Sequence, residues 1–537
     1  MKKSHSRRET IKLAGSAIIA SGAASALTAC ESKQSSKKKS FDYIIIGAGS
    51  AGCVLAARLT ENPNIRVLLL EAGPISKAPL IDDPKNWFRL TFGEYVWPDK
   101  GTPQAHADGK QLAAVHGKLA GGSSAINAMI HHRPTPGDIN AWGLASWRWG
   151  DLAPMLSRSE TWLNGPSPTR GKTGPIKVMG LPDAPPLAEA TLAAAERLGH
   201  GVSDDLNGEV QLGAGLNQLA FDGSKRQHTG HAYLGPALER PNLTVKTGAL
   251  AYNLLFDGKD RCVGVKYEKD GEIQSDEAER VILSAGALRS PALLMRSGIG
   301  PADHLSEMDI SVRTQSNGVG ANLHDHMLIA GHNFATQAKV PDSALHGSVA
   351  IVYGVSEFSN GNRDLMLNVS TTPTVFAPLH NPDHGFKTTF SFTKPKSRGH
   401  LRLASNDPFT QPIIDHNIFS DADDLNGAIA ALNLSRDILG ARELKPLDGV
   451  EQNLDFLKTR DGMRQLILAG TTSFGHHCGT CRMGSDDAAV VDENLRVRGT
   501  QGLYVIDASI IPNIPSCPTN ALVVAMAELA AERLKNT

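Results

Sequence analysis

The sequence predicts an α/β fold, because its first apolar run after residue 40 has the form of a buried parallel strand. Residues 41–46 read Phe-Asp-Tyr-Ile-Ile-Ile and lead directly into the glycine-rich turn Gly-Ala-Gly-Ser-Ala-Gly at 47–52. Small and apolar residues at helical spacing follow the turn, and the apolar run 66–70 predicts a second strand that ends at Glu71. Strand, glycine-rich turn, helix and strand in this order predict a Rossmann-type sheet.

The glycine-rich turn predicts a dinucleotide site. Gly47 permits the tight turn, Gly49 lets the backbone approach a pyrophosphate, and Gly52 lets the helix and the strand pack closely. The start of the helix offers amide donors and the positive end of its dipole to a phosphate group. Glu71 follows Gly52 by nineteen residues, at the spacing where a carboxylate accepts hydrogen bonds from the adenosine ribose. This pattern alone leaves FAD and NAD open.

Length and composition indicate a globular protein of two domains. The chain has 537 residues, of which 41% are hydrophobic and 20% are charged. Its net charge of −1 gives no electrostatic reason to expect nucleic acid as a partner. Cys478 and Cys481 form a C-x-x-C pattern, but no second pair stands at ligand spacing. We therefore expect a structural role for these two cysteines and no metal site.

The first 40 residues have the pattern of an export signal and a linker. Arg7 and Arg8 precede a weakly hydrophobic run at 13–29, which resembles a twin-arginine signal peptide. The run ends in Leu-Thr-Ala-Cys at 27–30, similar to a bacterial lipobox in which Cys30 is lipidated. We expect residues 1–30 to be the signal and 31–40 to be a polar linker. The mature protein is then an exported, periplasmic lipoprotein that contacts the membrane through its lipid anchor only.

Three further segments resemble the glucose–methanol–choline (GMC) oxidoreductase family. Residues 116–129 read His-Gly-Lys-Leu-Ala-Gly-Gly-Ser-Ser-Ala-Ile-Asn-Ala-Met, similar to the family's loop around the flavin. Residues 284–301 carry Ser-Ala-Gly-Ala, Ser-Pro and Ser-Gly-Ile-Gly-Pro. Residues 476–484 read His-His-Cys-Gly-Thr-Cys-Arg-Met-Gly, and Asp-Ala-Ser follows at 507–509. The resemblance extends over residues 41–535 and implies FAD as the cofactor.

The resemblance, together with the glycine-rich turn, also implies which residues contact FAD. They lie in the turn, the flavin loop and the two later motifs: Gly47, Gly49, Ser50, Ala51, Gly52, Glu71, Gly121, Gly122, Ser123, Asn127, Ala128, Met129, Ala251, Ala285, Gly286, Asp507, Ala508, Thr519 and Asn520. Some family members attach the flavin covalently through a histidine before the asparagine of the loop. Ile126 stands at that position here and forms no such bond, so we predict non-covalent FAD.

Alcohol oxidation requires a base for the hydroxyl proton while hydride passes to the flavin N5. Imidazole suits that role near neutral pH, and the family's base corresponds to His476, whereas we expect the neighbouring His477 to be a packing residue. The family's second catalytic position, usually His or Asn, corresponds to Pro518, whose side chain has no hydrogen-bonding group. Proline at this position is similar to a family member that acts on a hydroxymethyl group of an aromatic ring. It therefore favours a primary, benzylic-type alcohol as the substrate.

Three functions stay open from the sequence. An FAD-dependent alcohol dehydrogenase or oxidase is the first, with a quinone, a cytochrome or oxygen as electron acceptor; export to the membrane surface favours the dehydrogenase. The second is a family member with lyase or decarboxylase activity that keeps FAD without net alcohol oxidation. The third is a tethered binding protein with an inactive flavin site, which the presence of His476 and of all the FAD segments disfavours.

The FAD-binding domain is predicted to be discontinuous, with parts at 41–152, 222–322 and 465–537. The intervening residues 153–221 and 323–464 are expected to form an α+β substrate-binding domain on an antiparallel sheet. Alternating runs at 365–369 and 388–392 predict strands of that sheet, and 424–439 predicts a helix that covers it. The active site is expected where the two domains meet.

Overall fold

The computed structural model describes residues 41–258, 260–373 and 379–536. The predicted export signal, the linker and Cys30 lie outside these residues. Residues 41–46 form the predicted first strand, Phe41–Ile46, and the predicted helix after the glycine turn is Ser50–Leu59. The second strand is Val67–Leu70, buried throughout and paired in parallel with the first. This confirms the Rossmann-type start of the chain.

The first sheet has a parallel half and an antiparallel half. Within the described residues its strands lie in the order Leu243–Lys246, Val67–Leu70, Phe41–Ile46, Glu272–Leu283, Arg261–Lys269 and Ala249–Asp257, with Leu503–Val505 also beside Glu272–Leu283. The long strand Glu272–Leu283 joins the halves, since its start pairs antiparallel with Arg261–Lys269 and its end pairs in parallel with Phe41–Ile46. The carboxyl ends of the parallel strands therefore share one edge, where glycine loops meet.

The second sheet is antiparallel, as predicted for the substrate side. Its described strands lie in the order Val450–Glu451, Met327–Ala335, Gly385–Phe392, Leu365–Ser370, Ser348–Gly354 and Gly213–Leu216, with Thr471–Ser473 also beside Met327–Ala335. Pairing of 365–370 with 385–392 confirms the two predicted strand regions. Smaller sheets pair Glu160–Trp162, Ile176–Gly180 and Gln218–Leu219; His400–Arg402 with Ile413–Asp415; and Ile299–Gly300 with Thr314–Gln315.

Helices pack beside each sheet. The last helix, Asn520–Lys535, packs against Ser50–Leu59 and Trp149–Ser159 beside the first sheet. The second sheet is covered by Pro186–Arg197, Ala422–Leu439 and Arg460–Gly470, of which the second is the predicted helix. Shorter α-helices are Pro79–Asp82, Pro136–Asn140, Gly235–Ala237, Ser290–Arg296 and Ala302–Glu307. Within the described residues no helix combines the length and the apolar character needed to cross a membrane.

The strands divide between the sheets nearly as the predicted segments do. All described strands of the first sheet fall within the predicted FAD segments 41–152, 222–322 and 465–537. The described strands of the second sheet fall within the predicted substrate segments 153–221 and 323–464, except for one strand. Thr471–Ser473 belongs to the second sheet although it lies in the third predicted FAD segment. This short strand brings residues 474–478 back from the substrate sheet to the FAD side, so the chain crosses between the sheets directly before His476.

Candidate active site

The glycine-rich turn is closed against a second loop of the first sheet. Gly47 has a φ of +99°, and a Cβ there would lie 2.6 Å from the carbonyl oxygen of Ser284. A Cβ at Gly52 would lie 1.9 Å from the carbonyl oxygen of Gly47, so a side chain at either position would displace the backbone. The roles predicted for these two glycines, a tight turn and close packing of helix on strand, agree with these distances.

The predicted flavin loop contacts the turn through its backbone. The amide of Gly121 donates a 2.7 Å hydrogen bond to the carbonyl oxygen of Ala48. Gly122 has a φ of +53°, and a Cβ there would lie 2.7 Å from the Cα of Gly49. Two glycine loops from distant parts of the chain thus form one surface with little side-chain cover, which suits a phosphate and a flat ring.

Asn127 of the flavin loop is held in place by a buried arginine that the sequence analysis did not single out. The Arg226 guanidinium donates hydrogen bonds of 2.6 and 2.8 Å to the carbonyl and side-chain oxygens of Asn127. Burial lowers the pKa of Arg226 to about 9. Met129 follows with a φ of +61°, and its amide donates to the Asn127 side chain at 2.9 Å. The loop conformation is therefore fixed by side-chain contacts as well as by its glycines.

Glu71 lies at the end of the second strand, as predicted. Its carboxylate accepts hydrogen bonds from the amides of Ala48 at 2.7 Å and Gly73 at 2.8 Å. Burial raises its pKa, and these amide bonds act against that shift. Each carboxylate oxygen has a further lone pair for a ribose hydroxyl.

The two later FAD motifs meet at Asp507. Its Oδ2 accepts hydrogen bonds from the amide of Gly286 at 2.9 Å and from the hydroxyl of Ser290 at 2.6 Å. At the start of the last helix, Asn520 accepts a 2.8 Å hydrogen bond from the hydroxyl of Ser50. The other predicted contact residues lie in or directly beside these loops, except Ala251, which is in the strand Ala249–Asp257: Ala51, Ser123, Ala128, Ala285, Ala508 and Thr519.

His476 is paired with a second histidine, His326, which directly precedes the strand Met327–Ala335 of the second sheet. Their Nδ1 atoms lie 2.9 Å apart, and the His326 Nε2 lies 3.0 Å from the carbonyl oxygen of Thr393. The segments meet because the backbones of 324–326 and 474–478 run side by side, with the amide of Phe474 donating to the carbonyl of His326 at 3.0 Å. The sequence analysis gave His326 no role, and no local pattern shows which strand will face a motif 150 residues away.

The partners of His326 decide where the protons are. A carbonyl oxygen accepts only, so the His326 Nε2 carries hydrogen and donates to Thr393. Burial lowers the pKa of His326 to about 4, against the opposing backbone contacts with Thr393 and Pro515, so the ring is neutral at neutral pH. With hydrogen on Nε2, we assign its Nδ1 as the acceptor of a hydrogen bond from His476. The hydrogen of His476 is then on Nδ1. Its Nε2 keeps a lone pair and makes no hydrogen bond with the described residues.

The surroundings of His476 keep it neutral. Burial, followed by the nearby rings of His326 and His477, lowers its pKa well below the usual range of histidine. The ring of Phe474 stacks on it with centroids 4.4 Å apart and planes 16° apart. The backbone amide of His476 donates to Asp325 at 2.8 Å, which fixes the main chain at this point. The site therefore presents an oriented, neutral imidazole, the form required of a general base.

His477 is turned away from this arrangement. Its Nε2 lies 3.1 Å from the Nε2 of His416 and 3.5 Å from an oxygen of Asp325, and all three residues are buried. Burial lowers the pKa of His477 to about 3 and that of His416 to about 4, and it raises that of Asp325 to about 6.

These three side chains have the residue types of a metal site, with ligand atoms within 4.8 Å of one another. However, the ring centroids of His416 and His477 are 5.2 Å apart, so their nitrogens face each other directly. The two Nε2 atoms lie 3.1 Å apart, which is hydrogen-bond distance.

Pro518 is buried directly before Thr519, the residue that precedes the last helix. The predicted C-x-x-C residues are also buried, and burial raises the pKa of both thiols. All five described cysteines are free thiols. Cys478 and Cys481 thus lie in the core below the site, in agreement with the structural role expected for them.

Comparison with known proteins identifies the class to which this fold and site belong. Family models described as GMC oxidoreductase match residues 41–328 and 395–527. The chain belongs to the GMC oxidoreductase family.

Among curated relatives, pyridoxine 4-oxidase of Microbacterium luteolum is 36% identical over 91% of this chain and 98% of the relative. Mitochondrial choline dehydrogenase of Mus musculus is 35% identical over 93% and 90%.

Solved structures agree with this assignment. Pyridoxine 4-oxidase from Mesorbium loti has a TM-score of 0.89 and 33% identity, covering 93% of this chain and 99% of that one. Formate oxidase of Aspergillus oryzae RIB40 has a TM-score of 0.84 and 26% identity, covering 92% and 98%. The relatives named here are oxidases and a dehydrogenase, so they give the lyase or decarboxylase alternative no support.

Proposed function

We propose that this protein is an FAD-dependent enzyme that oxidises a primary alcohol to the aldehyde, with His476 as the base. The observation that carries the proposal is the pairing of His476 with His326. It places hydrogen on Nδ1 and leaves Nε2 to accept a proton, in a chain of the GMC oxidoreductase family.

The residues present fit FAD. A Cβ at Gly122 would lie 2.7 Å from the Cα of Gly49, and a Cβ at Gly47 would lie 2.6 Å from the carbonyl oxygen of Ser284. Backbone therefore lines the start of the helix, where its amides can face a phosphate. Glu71 has lone pairs available for the ribose, while Gly286 and Asp507 bring the two later motifs together. We infer that the glycine loops hold the pyrophosphate, that Glu71 holds the adenosine ribose, and that the two later motifs lie beside the flavin.

When bound, the flavin supplies the acceptor for hydride. The protein's own part is to remove the hydroxyl proton. Nε2 of His476 accepts it, and the resulting imidazolium keeps its Nδ1 hydrogen bond to His326. His326 does not pass the proton on, because its other nitrogen faces the Thr393 carbonyl. The proton therefore leaves from Nε2 of His476, the same nitrogen that accepted it.

We further propose that FAD is held without a covalent bond, since Ile126 replaces the histidine that would form one and is buried under the flavin loop. Precipitation with acid should release all yellow colour into the supernatant. Flavin that stays with the pellet would contradict this prediction.

For the substrate, the similarity to pyridoxine 4-oxidase and Pro518 favour a hydroxymethyl group on an aromatic ring. For the acceptor, the relatives include both oxidases and a dehydrogenase. The twin-arginine and lipobox patterns at 1–30 support export and tethering through Cys30, and hence a dehydrogenase that passes electrons to a quinone or a cytochrome.

The experiment uses purified protein without residues 1–30, mixed anaerobically with a panel of benzylic, heteroaromatic and aliphatic alcohols. We expect at least one aromatic hydroxymethyl compound to bleach the flavin absorbance. Colour that returns in air within seconds identifies an oxidase, and colour that returns only with a quinone or a cytochrome identifies a dehydrogenase. Flavin that no alcohol bleaches would contradict the proposed function.

A further inference from the structure

A buried tyrosine of the substrate sheet has an unused hydroxyl group. Tyr353 lies in the strand Ser348–Gly354 and is 1% exposed. Its hydroxyl has no hydrogen-bond partner among the described residues. A buried tyrosine hydroxyl ordinarily has a partner, because leaving one unpaired is unfavourable. An exception next to a proposed active site requires a functional explanation.

Tyr353 lies on the face of the sheet that contacts the catalytic segment. It forms a small apolar cluster with Leu206, Ile351 and Met366, against which Phe474 packs. Phe474 in turn stacks on the ring of His476 at 4.4 Å. Alternate residues of the same strand, such as Val352, belong instead to the core under the covering helices. Tyr353 therefore belongs to the cluster that supports Phe474, the side chain stacked on the catalytic histidine.

Tyr353 also lies near the second catalytic position. The Cys517 thiol, directly before Pro518, is close enough to contribute to the raised pKa of the Tyr353 hydroxyl, although burial is the main cause. The Arg363 guanidinium lies 4.1 Å over the Tyr353 ring and donates a 2.8 Å hydrogen bond to Ser516. The ring is thus fixed against the same segment, 516–518, that carries the proline.

We propose that the Tyr353 hydroxyl donates a hydrogen bond to the oxygen of the bound alcohol and replaces the group that Pro518 lacks. The proposal rests on the proposed function. Negative charge develops on that oxygen as His476 takes its proton, and a fixed donor there strengthens its hydrogen bond during the reaction. Because its pKa is raised, the hydroxyl remains protonated and is a donor throughout the neutral range.

His132 lies beside Tyr353 in the same buried region. Its ring lies edge to face with that of Tyr353 at 5.5 Å. Burial and the Arg363 charge lower its pKa to about 3, so it stays neutral, and its Nε2 is 3.5 Å from the Asn217 side chain. Its Nδ1, like the Tyr353 hydroxyl, has no hydrogen-bond partner among the described residues.

The test is Tyr353→Phe, which keeps the ring and removes only the hydroxyl. Anaerobic rapid mixing with the alcohol that bleaches the wild type should show a limiting rate of flavin reduction about 10²- to 10³-fold lower. The alcohol concentration for half-maximal rate should change little. The melting temperature should stay the same or rise, because no hydrogen bond of the resting enzyme is lost.

The matched control is Tyr43→Phe, at a tyrosine that is 4% exposed and whose hydroxyl donates to the Leu534 carbonyl at 3.3 Å. This variant should lose stability and keep its rate of reduction. If the flavin of Tyr353→Phe is reduced as fast as that of the wild type, the role of Tyr353 is overturned and the proposed function is left intact. Wild-type flavin that no alcohol reduces would overturn both.

Discussion

Two adjacent histidines, His476 and His477, are each paired with a histidine from a distant segment, yet the two pairs differ in which nitrogen is used. His476 meets His326 through Nδ1 at 2.9 Å and keeps Nε2 unused. His477 meets His416 through Nε2 at 3.1 Å, with Asp325 beside it. The first pair presents a base to the site, whereas the second fills a buried space behind it.

From this difference we propose that the tautomer of each ring decides which histidine can act as the base. The His326 ring is itself oriented by the Thr393 carbonyl at 3.0 Å, so the position of the hydrogen on His476 depends on a main-chain atom of the substrate sheet. In the second pair, the Nε2 of His477, which a base would need, already forms a hydrogen bond with His416. Residue type and motif position alone do not distinguish these two cases.

Replacing the two histidines in turn gives the largest expected contrast. His476→Ala should lower the limiting rate of flavin reduction about 10²- to 10⁴-fold while FAD stays bound, because the proton acceptor is lost. His477→Ala should retain the rate within about tenfold. Stopped-flow absorbance under argon measures both variants. Equal losses in the two variants would end the distinction between the pairs.

The orienting role of His326 is tested by His326→Leu and His326→Asn. Leucine offers no acceptor to the Nδ1 hydrogen of His476, so we expect reduction to slow about 10- to 100-fold, with a changed dependence on pH. Asparagine restores a carbonyl oxygen and should recover part of the rate. A leucine variant with the wild-type rate and pH profile would show that His326 only fills space.

The second pair should matter more for stability. His477→Ala removes the partner of His416 and leaves a buried nitrogen unpaired, which costs about 1–3 kcal/mol. Urea denaturation of the FAD-bound protein measures this loss, and a stability equal to that of the wild type would contradict it. Flavin content of the folded variant is the control, since a loss of FAD would itself lower stability.

Acid should destabilise the protein by a smaller amount in the mildly acidic range. The pKa values of His326, His416 and His477 are lowered to about 4, about 4 and about 3, mainly by burial. Unfolded histidine titrates near about 6.5. Below that pH these histidines bind protons in the unfolded chain but not in the native state. The free energy of unfolding therefore falls from about pH 6.5 towards about pH 4.

Asp325 opposes this trend below about pH 6, because its pKa is raised in the folded protein and protonation there favours the native state. With three histidines against one carboxyl group, the net result is a lower melting temperature at pH 5.5 than at pH 7.5. Calorimetry of the FAD-bound protein at both values provides the measurement. A higher melting temperature at pH 5.5 would reverse the predicted sign.

The sequence predicted the FAD side of the molecule more completely than the substrate side. Gly47, Gly52 and Glu71 lie where the motif required, because a turn, a helix start and a carboxylate at fixed spacing are local features. The roles proposed for His326 and Tyr353 depend on the second sheet: His326 directly precedes the strand Met327–Ala335, and the register of antiparallel strands sets the neighbours of Tyr353. That register depends on long-range packing, so no spacing in the chain revealed it.

The protonation of His476 in the resting enzyme tests the central claim most directly. We would record ¹⁵N NMR spectra of FAD-bound protein labelled at histidine nitrogens, at pH 7, and assign His476 by comparison with His476→Gln. The pairing with His326 predicts a neutral ring with hydrogen on Nδ1 and none on Nε2. Hydrogen on Nε2, or on both nitrogens, would contradict the assignment of His476 as a base oriented by His326.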